Sequence, residues 1–125
     1  MTLKTVKQLT AILVIMLVVD GVYLSTIYKM FERMIIGVQG SPIKFRVFGA
    51  VVCYAALTAG LYYFIVKDRR SATDAAILGG VIYAVYESTS YATLKGWDER
   101  IFAMDSVWGA ALFYIVTSAV YWLGL

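Results

Sequence analysis

Four apolar stretches, each about as long as a lipid bilayer is thick, constrain this chain more than any other feature of its sequence. They run over residues 9–28, 45–66, 72–94 and 101–123. A transmembrane helix needs about 20 mostly apolar residues, because the hydrocarbon core is about 30 Å thick. The connections are short, which favours antiparallel neighbours. The pattern predicts an all-α polytopic membrane protein, an antiparallel bundle of four transmembrane helices that forms a single domain over residues 1–125.

The composition agrees with a membrane protein and with the lipid bilayer as its main partner. Hydrophobic residues make up 62% of the chain and charged residues 15%, whereas a soluble domain has about 45–50% and about 25%. A water-soluble fold of this size could not bury so much apolar surface. The net charge of +3 comes from basic residues at the ends of the stretches, where lipid phosphates are available. We therefore expect no nucleic-acid partner.

The residues that usually carry catalysis or bind metals are scarce. The chain has no histidine and a single cysteine, Cys53, inside an apolar stretch. It also lacks a glycine-rich phosphate loop, a nucleophile elbow and a zinc motif. We therefore predict no metal site and no cofactor. Two carboxyl groups could act as acid and base, but without a nucleophile beside them an enzyme is the less favoured class.

Three acidic residues interrupt the apolar stretches: Asp20, Glu87 and Asp105. A charged carboxylate at the centre of a bilayer costs roughly 2.5–3.5 kcal/mol on insertion scales, so such residues are candidates for a functional site. In the predicted topology Asp20 and Glu87 lie about 12 Å below the same membrane surface, and Asp105 about 7–8 Å. The three acids therefore share one leaflet, and we expect them to form one polar cluster.

Residues near these acids could complete the cluster. Tyr91 and Lys95 follow Glu87 at four-residue spacing, which places them on the same helix face. Lys95 could reach back along the helix, and hydroxyl groups could donate hydrogen bonds to the carboxylates. The complete candidate cluster is Asp20, Tyr23, Glu87, Ser90, Tyr91, Lys95, Asp105 and Trp108.

Two kinds of function remain open for such a cluster. Buried carboxyl groups can hold helices together by hydrogen bonds, which would suit a non-enzymatic structural or complex-forming component. Acidic residues can also form a proton or cation pathway in a small transporter or channel. The sequence favours the structural role slightly. A water-filled cavity beside the acids would favour the pathway.

Small residues follow the third stretch at four-residue spacing. Such a stripe lets two helix backbones approach closely. The packing surface could lie within the bundle or between protomers, so a homo-oligomer or a subunit of a membrane complex is a further expectation. The candidate packing residues are Ala72, Ala76, Gly80, Ala84, Ser88, Ala92 and, on the fourth stretch, Gly109.

Aromatic and basic residues at the ends of the stretches indicate the lipid interfaces. Trp97 and Trp122 are predicted to anchor the two ends of the fourth helix. Lys67, Arg69 and Arg70 form a basic cluster that stops the second helix. Four crossings place both termini on the same side. That side carries five basic residues against six on the other, and the tight basic cluster favours cytoplasmic termini.

Several short strings resemble those of one family of small membrane proteins. They are Tyr86–Trp97, which reads YESTSYATLKGW, then Asp105–Gly109, which reads DSVWG, and Asp20–Leu24, which reads DGVYL. Together with Tyr54 they resemble the domain-of-unknown-function family 2177 over essentially the whole chain. The family usually has aspartate at position 87 and tryptophan at position 23. The resemblance implies four membrane helices and important positions at 20, 87, 95, 105 and 108, but no activity.

Overall fold

The computed structural model describes residues 1–125 and contains four helices and no strands. Helix α1 spans Leu3–Gln39, α2 spans Val47–Leu61, α3 spans Ala72–Thr93 and α4 spans Glu99–Trp122. A π-helical turn, Tyr62–Val66, extends α2. The prediction of an all-α membrane bundle is confirmed.

Side chains just before the helices explain where they begin. Thr2, Ser71 and Asp98 each accept a hydrogen bond from a backbone N–H in the first turn, at 3.1, 3.0 and 2.7 Å. These bonds satisfy donors that have no partner inside a helix. The Arg100 side chain and backbone also donate to Asp98, which lowers the pKa of that carboxyl group.

Helix α1 is much longer than the predicted span. Its 37 residues extend over about 55 Å, so it continues well beyond the hydrocarbon core. The helix stops at Gly40, whose φ of 76° closes the last turn by a bond from its N–H to Ile36. Glycine adopts this left-handed conformation without a steric penalty. The final turns pack Met34 against Trp97 and Ile101.

Neighbouring helices run in opposite directions around a common core. Thr5 contacts Tyr62 while Asp20 contacts Tyr54, so α1 and α2 are antiparallel. Gln8 donates to the carbonyl oxygen of Leu125 at 2.8 Å, which brings the two ends of the chain to the same end of the bundle. The core combines residues of all four helices: Ile12, Met16, Leu57, Leu61, Ile65, Val66, Ala75, Leu112, Phe113, Val116 and Val120.

The tightest helix contact joins α3 and α4. A Cβ atom added at Gly79 would lie 2.2 Å from the Gly109 carbonyl oxygen. One added at Gly109 would lie 2.6 Å from the Gly79 carbonyl oxygen and 2.4 Å from Cγ of Tyr83. The backbones therefore touch at a pair of glycines, in the way that membrane helices use small residues.

This contact corrects the predicted packing stripe on α3. The closest approach lies at Gly79, one position before the predicted Gly80, whose added Cβ would meet only Ala110 at 3.4 Å. In the stripe itself Ala72, Ala76, Gly80 and Ala84 are half-buried, and Ser88 and Ala92 are exposed. Spacing alone could not separate two adjacent helix faces that both carry small residues.

Three helices are long and apolar enough to cross a membrane: α1, α2 with its π-helical turn, and α4. The most apolar 18-residue segments of these helices have mean hydropathies of 2.1, 1.8 and 1.4. Helix α3, with 22 residues, has a suitable length but carries several polar side chains, and its most apolar segment is less apolar than those of the other three helices. Its crossing therefore remains a prediction, supported by its packing along α4.

Most of the predicted lipid-interface residues lie exposed near the end of the bundle that holds the termini. The Lys67 ammonium lies 4.6 Å from the centre of the Tyr63 ring, and the Arg69 guanidinium 4.6 Å from that of Tyr121. Arg70 pairs with Asp74 at 3.1 Å. Trp122 is 85% exposed. Their contact with lipid remains a prediction.

Candidate functional site

Asp20, Glu87 and Asp105 line one cavity inside the bundle, and each comes from a different helix. The cavity has a volume of about 480 Å³. Most of its walls are apolar, and no lysine or arginine lines it. The lining residues are Asp20, Leu24, Ile27, Phe31, Cys53, Tyr54, Ala56, Leu57, Ile82, Tyr83, Tyr86, Glu87, Ile101 and Asp105.

Asp20 connects three helices. It is 5% exposed, and its Oδ1 accepts a hydrogen bond from the indole N–H of Trp108 on α4 at 2.9 Å. Its Oδ2 accepts a short hydrogen bond from the hydroxyl group of Tyr54 on α2. A buried carboxyl group is tolerated when such donors compensate for the lost water. Asp20 therefore holds α1, α2 and α4 together.

Tyr23, one turn after Asp20 on α1, contacts Asp105 on α4. Its hydroxyl group donates to Oδ1 of Asp105 at 3.2 Å. Its ring stacks on Trp108, with ring centres 4.3 Å apart and planes 6° from parallel. Stacking holds the two rings against each other, while Tyr23 donates to Asp105 and Trp108 donates to Asp20.

Glu87 is the most deeply buried of the three acids, at 1% exposed. Its Oε1 accepts a hydrogen bond from the indole N–H of Trp97 at 2.9 Å. The Asp105 carboxyl group, from α4, lines the same cavity as the Glu87 side chain. A hydrogen bond between two carboxyl groups needs a proton on one of them. A proton shared by the pair would therefore join α3 to α4.

The prediction that Trp97 anchors the lipid interface is wrong, because its side chain lies inside the bundle. Its side chain is 6% exposed and packs edge-on against Phe31 and Tyr86, with ring centres 6.3 and 6.2 Å away. Gly96 adopts a φ of 91°, a conformation that glycine accepts readily. The connection after α3 can therefore turn so that the indole lies beneath it, facing Glu87.

The structure also corrects the prediction that Lys95 and Tyr91 belong to the polar cluster, because neither side chain lies beside the three acids. Helix α3 ends at Thr93, so Lys95 leaves the helix face that would have aligned it with Glu87, and its side chain is exposed. Tyr91 is 42% exposed and donates to Glu99 at 2.9 Å. Ser90 is buried, beside Tyr86.

The cavity also includes residues that the predicted cluster omitted. Tyr54 supplies a donor to Asp20, and its position was noted only through the family resemblance. Tyr83 and Tyr86 contribute aromatic wall, and Cys53 lies at the rim with an exposed side chain. Their participation depends on how α2 and α3 face each other, which no motif in the sequence encodes.

The arrangement does not resemble a metal centre. No group of three or more histidine, cysteine, aspartate or glutamate side chains is placed to hold a metal ion. The three carboxyl groups instead accept hydrogen bonds from tryptophan and tyrosine donors.

The helical bundle, its three bilayer-length apolar helices and its buried carboxyl groups define the class as a multi-pass membrane protein. The chain belongs to the family described as "Predicted membrane protein (DUF2177)", whose model matches residues 5–122. The family resemblance found in the sequence is thus confirmed over nearly the whole chain. No curated protein and no solved structure matches it.

Proposed function

We propose that this protein is a small non-enzymatic carrier that binds a proton or a small cation at Glu87 and Asp105. The observation that supports this proposal is the cavity of about 480 Å³ that the three acids share. Intramembrane carboxyl groups that face a cavity are typical of proton and ion pathways. Acids that served only to join helices would not need free space beside them.

The three acids differ in how their hydrogen bonds are used. Asp20 already accepts a hydrogen bond at each oxygen, from Tyr54 and Trp108, so it has fewer free acceptor positions than the other two acids. The only tryptophan or tyrosine donor to Glu87 is Trp97, and the carboxyl group of Asp105 lines the same cavity. We therefore assign binding to the pair Glu87 and Asp105, and support of the bundle to Asp20.

Proton flux into proteoliposomes tests the proposal. A potassium diffusion potential, negative inside, would drive protons through the reconstituted protein, and a trapped pH-sensitive dye would report their entry. We expect the flux of Glu87→Gln to fall to the level of empty liposomes, since an amide cannot release a proton. Glu99→Gln, an exposed residue outside the cavity, is the matched control and should retain the flux.

Unchanged proton flux in Glu87→Gln would contradict the proposed role of Glu87. The same measurement with a sodium gradient and no potential distinguishes a cation from a proton. Because the amide still accepts the Trp97 hydrogen bond, Glu87→Gln should fold normally, and its elution as a single species checks this.

The second candidate is a structural or complex-forming role. It is supported by Asp20, whose two donors come from two different helices. In this case the wild-type protein would produce no flux above empty liposomes. Asp20→Asn would then lower thermal stability more than Glu87→Gln does.

A further inference from the structure

We propose that the cavity binds an organic amine with an apolar body, which enters sideways from the lipid. This inference rests on the proposed function, because it names the class of cation that the same site would bind. It is drawn from the walls of the cavity, its charge and the position of its opening.

The walls of the cavity suit a hydrocarbon body better than a bare ion. Eleven of its fourteen lining residues are hydrophobic. Such walls cannot replace the water around an inorganic ion, but they gain free energy by burying apolar surface. The volume of about 480 Å³ falls within the usual range for small-molecule sites, about 300–1,000 Å³.

The polar part of the cavity favours a cation with N–H groups. Three carboxyl groups and no basic side chain line it. An ammonium group donates hydrogen bonds and accepts none, so it complements carboxyl oxygens. The rings of Phe31, Tyr54, Tyr83 and Tyr86 also border the space, and aromatic faces attract cations. A carboxylate ligand would meet only like charge.

The opening lies at the depth of the lipid chains. Cys53 and Ala56 on α2 and Tyr86 on α3 line the cavity and are also exposed on the outer surface, Tyr86 to 55%. Cys53 comes seven residues after Arg46, which places it about 10 Å below the membrane surface. Amines with apolar bodies concentrate at the boundary between headgroups and lipid chains. Their apolar part reaches the depth of the opening while their charge stays near the headgroups. The ligand would therefore enter between α2 and α3.

Alkylation of Cys53 provides the test, because it is the only cysteine in the chain and lies at the opening. The full-length protein in nanodiscs would be treated with N-ethylmaleimide in the presence of N,N-dimethyl-4-phenylbutylamine, a tertiary amine that forms no stable adduct with the maleimide, or of 4-phenylbutanol or 4-phenylbutyrate. These probes share one body and differ in charge. We expect the amine to slow alkylation at about tenfold lower concentration than the alcohol, and the carboxylate to have no effect.

Substitutions of Glu87 and Asp105 test whether these acids are needed for the amine to protect Cys53 from alkylation. Glu87→Gln and Asp105→Asn should each weaken protection by the amine, whereas Glu99→Gln should leave it unchanged. Equilibrium dialysis with radiolabelled amine measures the same affinity without using Cys53. Equal protection by amine and alcohol, or no dialysis signal for the amine, would overturn the inference.

The outcomes separate this inference from the proposed carrier function. Amine binding without proton or sodium flux would leave a binding site and remove the carrier. Flux that depends on Glu87 without amine binding would leave the carrier and remove the organic ligand.

Discussion

Trp97 and Trp122 have the same side chain but opposite environments. Trp97 is 6% exposed and donates to Glu87, whereas Trp122 is 85% exposed. Tryptophan suits both places because its ring is apolar and its N–H is polar. What separates the two is the turn at Gly96, which lets the residue after it fold inward.

This difference leads to a prediction for matched substitutions. Trp97→Phe removes the donor to a fully buried acid, which should lower the free energy of unfolding by about 1–3 kcal/mol. Trp122→Phe should change it by less than about 0.5 kcal/mol. Unfolding of both variants in mixed micelles, followed by circular dichroism, measures the values. Equal losses would show that the bond from Trp97 to Glu87 does not stabilise the protein.

At the scale of the helices, the positions of the elements follow from the sequence better than their contacts do. Apolar length predicts all four helices, although α1 continues beyond the predicted end at residue 28 to Gln39. Polar residues such as Glu87 make α3 less apolar than the other helices, and the partner of Glu87, Trp97, lies outside α3. The packing of α3 on α4 depends on Gly79 facing Gly109, a match between two distant segments.

The glycine contact can be tested by adding a single methyl group. Gly79→Ala would place a Cβ 2.2 Å from the Gly109 carbonyl oxygen, and a backbone atom cannot simply rotate away. Overpacking of this kind typically costs about 1–3 kcal/mol of folding free energy. Gly21→Ala on α1 is the control, since its Cβ would meet no atom within 4 Å. Thermal denaturation in micelles should show a lower midpoint for Gly79→Ala alone, and similar midpoints for both would argue against the close contact.

At the scale of the whole molecule, the antiparallel order brings three acids from three helices to one cavity. Their depth in the sequence predicts a shared leaflet, because distance from a helix end translates directly into height. Depth does not specify which faces meet, so the predicted companions included Tyr91 and Lys95 and omitted Tyr54 and Trp97. The cluster that forms is held by two indole donors and two tyrosine hydroxyl groups.

In the proposed function, Glu87 and Asp105 act as one proton-binding pair. Infrared spectroscopy of the protein in lipid detects such a pair, because a protonated carboxyl group has its own C=O stretching band. We predict such a band at neutral pH, and we expect Glu87→Gln and Asp105→Asn each to remove or shift it while Glu99→Gln leaves it unchanged. Absence of the band, or a band that only one of the two substitutions affects, would contradict the shared proton.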